Sequence, residues 1–139
     1  MSYAATVALQ GAVYQHLRHD PALSGLVGDA IYDAMPVERP AGIHVALGPE
    51  DVTDAGDYTA RGSRHDFVVS VLTGTDQGGG FREVKAAAAA VADALETGDL
   101  QLDRGHLAGV WFLRAKARRD GKGAARRVDL TFRARIDLG

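Results

Sequence analysis

Two histidines near the N-terminus are the first residues whose spacing could support chemistry. His16, His19 and Asp20 lie within about one helical turn, and imidazole and carboxylate groups are common zinc ligands. A metal site also needs ligands that converge from elsewhere in the fold, and the sequence offers no second cluster. The dipeptide His65-Asp66 only places one histidine beside one carboxylate. We therefore predict no metal site.

Residues that could bind phosphate or attack a carbonyl group are equally isolated. Gly78-Gly79-Gly80 precedes a predicted helix, but the P-loop lysine and the spaced glycines of a dinucleotide fingerprint are missing. Ser24, Ser63 and Ser70 lack the surroundings of a nucleophile elbow. The chain has no cysteine, so a cysteine nucleophile and a thiolate metal site are excluded. The sequence predicts a protein that is not an enzyme and needs no cofactor.

The length and composition of the chain fit one soluble domain over residues 1–139. A chain of 139 residues that is 46% hydrophobic can build one core but not two of ordinary size. No apolar run approaches the length of a membrane-spanning helix, and the N-terminus lacks the pattern of a signal peptide. We expect a protein made in the cytoplasm, with no membrane partner.

The elements that must position any functional residue follow from hydrophobic periodicity. Helical spacing covers residues 3–19, a short segment from Pro21 to Gly28, and residues 81–97. Alternation predicts strands at residues 43–47, 64–72, 110–119 and 126–137. The predicted fold is α+β, with a mostly antiparallel sheet, two main helices packed on one face and a C-terminal β-hairpin. The predicted core is Leu9, Val13, Leu17, Val45, Leu47, Phe67, Val69, Val84, Val91, Leu95, Leu113, Leu130 and Phe132.

The charges are segregated along the chain, although the formal net charge is only −2. Residues 1–99 contain 6 basic and 14 acidic side chains, whereas residues 100–139 contain 10 basic and 4 acidic side chains. Residues 48–63 show no periodicity, and we interpret them as a long acidic loop or arm. Surfaces of opposite sign can bind each other between copies, or folding can mix the two signs over one surface.

The C-terminal hairpin carries most of the positive charge. Its second strand alternates between apolar residues such as Leu130 and polar residues, and we expect Trp111, Leu113, Ala115 and Ala117 of the first strand to share the apolar face. The basic residues of the hairpin are Arg114, Lys116, Arg118, Arg119, Lys122, Arg126, Arg127, Arg133 and Arg135.

Two registers of the hairpin keep its faces matched, because a slip of one residue would exchange them. A tight turn at Asp120-Gly121 sets Arg114 opposite Arg127, which is a repulsive pair. A longer loop over residues 120–125 sets Lys116 opposite Asp129 and leaves Arg118 opposite Arg127. We favour the longer loop.

Several short motifs resemble the small tail-completion (tail terminator) proteins of siphophage-like particles, especially those of alphaproteobacterial gene transfer agents. In the first half of the chain they are Ser2-Tyr3-Ala4-Ala5, Leu9-Gln10, Val13-Tyr14, Leu26-Val27-Gly28, Ala30-Ile31-Tyr32-Asp33 and Val45-Ala46-Leu47-Gly48. In the second half they are Arg64-His65-Asp66-Phe67-Val68-Val69-Ser70-Val71, Ala94-Leu95 and Arg126-Arg127-Val128-Asp129-Leu130-Thr131-Phe132-Arg133-Ala134-Arg135. Their order and spacing, rather than any single motif, carry the resemblance.

The resemblance implies a noncatalytic structural subunit of a phage-like tail. Such a subunit would form a hexameric ring at the head-proximal end of the tail tube, end tube growth and dock the tail to the head connector. Its partners would be further copies of itself, the tail tube protein and the connector protein, and DNA would pass through the ring lumen. The alternative from the residues alone is a small nucleic-acid-binding module that uses the basic hairpin for phosphate contacts.

Charge, rather than the resemblance, suggests which residues meet between copies. Our hypothesis is that an acidic group on one copy approaches a basic group on the next, as in a heterologous ring interface. The acidic group is Glu50, Asp51, Asp54 and Asp57, and the basic group is Arg114, Lys116, Arg118 and Arg127.

Overall fold

The computed structural model describes residues 3–75, 81–119 and 125–139, and they adopt an α+β fold. The helices are α1 (Thr6–Arg18), preceded by a 3-10 turn, α2 (Pro21–Val27) and α3 (Phe81–Thr97). The strands are β1 (Ile31–Tyr32), β2 (His44–Asp54), β3 (Gly62–Leu72), β4 (His106–Arg119) and β5 (Arg126–Asp137). They form one sheet in the order β1-β2-β3-β5-β4. The β1–β2 pair is parallel and the other three pairs are antiparallel, so the predicted fold class is confirmed.

The helices begin and end where local chemistry favours it. The Asp20 side chain caps α2 by accepting a hydrogen bond from the Leu23 N–H at 3.0 Å, and Pro21 occupies the first turn. Gly28 ends this helix with a φ of 63°, a conformation that favours glycine. The sequence had placed both ends of α2 correctly.

His16 connects α1 to α3. Its Nε2 donates a hydrogen bond to the Ala94 carbonyl at 2.9 Å. A Cβ at position 98 would collide with the His16 ring, which explains why α3 is followed by glycine. The His19 Nδ1 donates to the Gln15 carbonyl at 2.7 Å. Both histidines thus have backbone partners within the fold.

Residues 48–54 form the second half of β2, so the expected acidic loop over residues 48–63 is wrong for most of its length. Glu50 lies opposite Phe67 and Asp54 lies opposite Ser63. The register shifts between Leu47 and Glu50, which disrupts the alternation expected of a strand. Acidic residues also have low strand propensity, but pairing with β3 overrides it. The connection between β2 and β3 is therefore only residues 55–61.

The β4–β5 hairpin adopts the register predicted for the longer loop. Lys116 lies opposite Asp129, and Arg118 lies opposite Arg127. Residues 120–124 and the triglycine at 78–80 lie outside the described residues.

One face of β4 differs from the prediction. The register shifts between Phe112 and Arg114, so Phe112, not Trp111 or Leu113, shares the apolar face with Phe132. Trp111 is 48% exposed and Leu113 is 38% exposed. The expectation that both lie on the apolar face and the prediction that Leu113 is a core residue are therefore wrong. A one-residue bulge exchanges the faces on either side of it, and strict alternation cannot anticipate it.

The core lies between the helices and one face of the sheet. Of the predicted core residues, Leu47 is partly buried against the core, Leu113 is exposed, and the others are buried. The buried ones are Leu9, Val13, Leu17, Val45, Phe67, Val69, Val84, Val91, Leu95, Leu130 and Phe132. The alanines of α3 keep that helix slim, and Ala87 and Ala88 pack directly into this core.

Candidate subunit interface

The sheet order places the acidic and basic groups on opposite edges. Glu50, Asp51 and Asp54 lie on β2, and Asp57 lies in the turn that follows it. β1 pairs with only two β2 residues, Val45 and Ala46, and in the described ranges no strand covers residues 50–54 of β2 on that side.

The opposite edge is β4, which carries Arg114, Lys116 and Arg118. All three side chains are exposed and lie on the sheet face away from the helices. Among the residues that the structure describes, no strand pairs with the outer side of β4. One copy therefore presents an acidic edge and a basic edge about a sheet width apart.

Arg127 does not belong to the basic edge, because it lies on the interior strand β5. Its guanidinium donates to Asp129 Oδ1 at 2.8 Å and to Ser70 Oγ at 3.2 Å. Arg118 Nη2 reaches the same carboxylate at 3.4 Å. Burial alone would raise the pKa of Asp129, but the hydrogen bonds from Ser70 and Arg127 outweigh it and lower the pKa.

A second ion pair neutralises the middle of this sheet face. Arg133 forms a two-bond contact with Asp66, with N···O distances of 2.8 and 3.0 Å. The hydrogen bond from Arg133 lowers the pKa of Asp66 below its ordinary value. Much of the positive charge that the sequence assigns to the hairpin is thus balanced within the subunit.

Asp57 shapes the turn between β2 and β3. Its Oδ1 accepts hydrogen bonds from the N–H groups of Thr59 and Ala60, both at 2.9 Å, and from the Thr59 hydroxyl at 3.1 Å. The backbone bond from Thr59 contributes most to lowering the pKa of Asp57. This carboxylate has a local structural role.

Glu50 ends a buried polar chain that the sequence reasoning missed. A hydrogen bond of 3.2 Å joins Glu50 to Nδ1 of His65, and one of 2.7 Å joins the His65 Nε2 to Ser63 Oγ. Because the Glu50 carboxylate can only accept, the His65 Nδ1 donates to it. In a neutral imidazole ring the other nitrogen, Nε2, then accepts from the Ser63 hydroxyl. The two-residue spacing of Ser63 and His65 on one strand face was the available signal.

The hydrogen-bonded series Glu50–His65–Ser63 has the connectivity of a serine hydrolase triad, but its serine is not accessible. Ser63 and His65 are both 0% exposed, so no substrate can reach the hydroxyl. Across the described ranges, no group of three or more His, Cys, Asp or Glu side chains could hold a metal ion. Ser63, His65 and Glu50 are best explained as a structural network that fixes β2 on β3.

Comparison with known proteins decides the family. The family model described as "Tail completion protein gp17" matches residues 11–137. The chain belongs to this family. It is also 60% identical, with a TM-score of 0.88, to a chain in a solved structure titled "Virion of native gene transfer agent (GTA) particle". The match covers 98% of this chain and 99% of that chain.

These findings confirm the resemblance suggested by the sequence. No curated protein gives a significant match. In the part of the chain that the structure describes, no helix is long and apolar enough to cross a membrane. The tail completion family supplies a structural context for the two charged edges, because a tail component works in contact with other subunits.

Proposed function

We propose that this protein is a noncatalytic subunit of a phage-like tail, of the kind carried by gene transfer agents. Six copies form a ring at the head-proximal end of the tail tube. The ring ends growth of the tube and docks the tail to the head connector. Membership of the tail completion family and the 60% identical chain of a gene transfer agent virion support this proposal. The protein is made in the bacterial cytoplasm and acts in the particle.

The observation that carries the ring is the placement of opposite charges on opposite edges of one sheet. A surface that meets a different surface on the next copy forms a heterologous interface, and such interfaces give a ring when the rotation between copies closes. Asp51 on the β2 edge and Lys116 on the β4 edge are both exposed and lie on the same sheet face. Exposed ion pairs are worth about 0 to 1 kcal/mol each, so charge guides the register and other contacts must hold the ring together.

Nucleic-acid binding is the weaker candidate for the basic hairpin. Arg127 and Arg133 already bind Asp129 and Asp66 of their own subunit. Phosphate contacts would compete with these bonds. We place DNA in the ring lumen as a passing molecule, without specific contacts.

Charge reversal on one edge and then on the other tests the ring. The variant Asp51→Lys with Asp54→Lys should reduce assembly at low salt, and Arg114→Glu with Lys116→Glu should partly restore it. The measurements are oligomer mass by light scattering, and tail length and head attachment in particles. Asp57 and Arg127, which the charge hypothesis also named, are left unchanged here because each supports local structure.

The matched control is Asp99→Lys with Asp103→Lys, which makes the same charge change at exposed residues outside both edge strands. It should assemble normally. Particles without this protein should have tails of uncontrolled length that lack heads. Finished, head-bearing tails in its absence would overturn the proposed function.

A further inference from the structure

We propose that neighbouring copies join strand to strand: β4 of one copy pairs with residues 50–54 of β2 of the next, in one continuous antiparallel sheet. This inference rests on the ring proposed above and specifies its joint. Backbone hydrogen bonds, with a small apolar contact, would then hold the copies together, and side-chain charge would select the register.

β4 has the properties of an edge that another strand covers. It spans 14 residues, contains no proline, and every one of its residues from Trp111 to Arg119 is exposed. Trp111, Phe112 and Leu113 follow one another with exposures of 48%, 40% and 38%. Proteins normally protect long edges with proline, short strands, bulges or charged side chains, because an exposed edge pairs with other chains. β4 has two bulges and basic side chains, but it is long, has no proline and exposes three consecutive apolar residues. This edge is suited to a specific partner strand.

The backbone of β4 directs hydrogen-bonding groups to that edge. In an antiparallel ladder, alternate residues direct both backbone groups to the same neighbour. The Phe112 N–H donates to a carboxylate oxygen of Glu96 at 3.4 Å, so the backbone N–H and C=O of Phe112 point away from β5. The backbone groups of its β5 partner Phe132 therefore point to β3. Those of Leu130, two residues earlier on β5, point to β3 as well. Ala115, opposite Leu130, directs its N–H and C=O outward.

The same reasoning applies to β2. The Ala55 N–H donates to the Gly62 carbonyl at 3.0 Å, so the backbone groups of Ala55 point to β3. Backbone direction alternates along a strand, so the backbone groups of Val52, three residues earlier, point outward. Further along, the Val45 N–H donates outward to the Ala30 carbonyl at 2.9 Å, which shows that this side of β2 accepts a strand. The segment at Val52 is the part of the edge that β1 does not reach.

The strand directions agree with an antiparallel joint. β2 and β5 run one way and β3 and β4 the other, because each neighbouring pair among the four is antiparallel. Rotation about an axis along the strands keeps these directions the same in every copy. β4 of one copy and β2 of the next then meet antiparallel.

One register between β4 and the neighbouring β2 pairs outward-pointing backbone groups and also pairs opposite charges. Setting Val52 opposite Ala115 pairs two outward-facing residues and places Asp51 opposite Lys116 on the charged face. Within its own subunit Val52 lies in one row with His65, Ala134 and Val110. In the joint it pairs instead with Ala115 of the next copy, further along β4 than Val110, so neighbouring copies are staggered along the strand direction. Closing a tilted sheet into a ring requires such a stagger.

The helix side of the joint has space for the incoming valine. An apolar groove runs between α3 and β4, lined by Ala88, Ala89 and Ala92 on the helix and by Phe112 and Ala115 on the strand. In this register the Val52 side chain lies over the groove, because directly opposite residues share a face. The small α3 side chains leave this space beside β4.

Proline at outward-facing positions tests the joint. Ala115→Pro and Val52→Pro each remove one outward N–H and leave the pairing with β5 or β3 intact. Each variant alone should be monomeric. Mixed in equal amounts they should form a dimer and nothing larger, because each retains one good edge. Ala115→Ser and Val52→Ile, which keep the N–H, should form rings.

A cross-link tests the same joint without proline. The wild-type chain has no cysteine, so Val52→Cys with Ala115→Cys introduces the only two. Hydrogen-bonded antiparallel partners have Cα atoms about 5.5 Å apart, which suits a disulfide. Oxidation should give a ladder of cross-linked copies up to the closed ring. Asp51→Cys with Ala115→Cys, on opposite faces, should give none.

Several results would overturn the joint. Rings formed equally well by both proline variants would refute the strand-to-strand joint. The tail role is read separately from particles and would stand if their tails were normal. A Val52→Pro variant that dimerises alone would mean that β4 pairs with β4. A proline mixture that stays monomeric would also refute it. So would a wild-type chain that stays monomeric at millimolar concentration together with a Val52→Cys, Ala115→Cys variant that gives no cross-link on oxidation.

Discussion

The ring of Phe132 on β5 stacks on the ring of Phe67 on β3, with centroids 5.6 Å apart and planes inclined by 24°. Phe112 of β4 meets the other side of Phe132 edge-on, at 5.9 Å. Since Phe132 is 0% exposed and Phe112 is 40% exposed, this row of rings runs from the core to the open edge. The aromatic row therefore couples the fold to the surface where we place the neighbouring copy.

Truncation along this row should separate folding from assembly. Phe132→Ala should lower the free energy of unfolding by about 3 to 5 kcal/mol, because it leaves a cavity in the core. Phe112→Ala should destabilise the isolated subunit less and weaken assembly more. Urea unfolding and light scattering measure the two effects. Equal loss of stability in both variants would contradict the assignment of Phe112 to the edge.

The buried polar chain should make Glu50 important for stability although it lies near the surface. Glu50→Ala leaves the His65 Nδ1 without its partner in a buried site, which costs about 1 to 3 kcal/mol. The neighbouring exposed change Asp51→Ala should stay within about 0.5 kcal/mol. Urea unfolding at neutral pH compares them. Similar values for the two variants would show that the Glu50–His65 bond does not support the fold.

The comparison of sequence and structure shows which patterns are informative. Opposed charges selected the hairpin register, because only one alternative placed Lys116 opposite Asp129. The second half of β2 was missed because pairing with β3 forms the strand there, against the local propensity of acidic residues. The link between Ser63 and Glu50 was missed because it depends on the register of two strands, which local sequence does not determine.

The Asp66–Arg133 pair should make stability depend on acid. The hydrogen bond from Arg133 holds the pKa of Asp66 below its ordinary value of 3.8. A lowered pKa in the folded state gives stability that is present above the ordinary value and is lost as the pH falls through the folded pKa. Asp66→Asn should therefore lose stability at neutral pH and show a flatter decline below about pH 4. Thermal unfolding measured against pH would show this.

The control for that experiment is Asp103→Asn, which removes an exposed carboxylate that lies outside the strands. Its stability profile should follow that of the wild type. If the Asp66→Asn and Asp103→Asn profiles coincide, the contact with Arg133 does not stabilise the fold.

Glu96 protects the open edge of β4 in the single subunit, and its removal should strengthen assembly. Its carboxylate accepts the outward N–H of Phe112, and a partner strand must displace it. Its negative charge also lies where the acidic edge of the next copy would approach. Breaking a bond of this type costs about 0.5 to 1.5 kcal/mol, so Glu96→Ala should tighten association roughly two- to tenfold. Sedimentation velocity over a dilution series measures the change.

Glu96→Gln separates the two contributions, because the amide oxygen still accepts from Phe112 but carries no charge. If repulsion dominates, Gln and Ala should tighten association equally, and the gain should shrink as salt rises. If the hydrogen bond dominates, Gln should resemble the wild type at every salt concentration. Glu96→Gln should leave subunit stability nearly unchanged. Glu96→Ala should lower it by about as much as the lost hydrogen bond strengthens association, because the free subunit loses a bond that assembly would have to break. Weaker association of Glu96→Ala would mean that Glu96 belongs to the interface as a contact, and the protective role would be wrong.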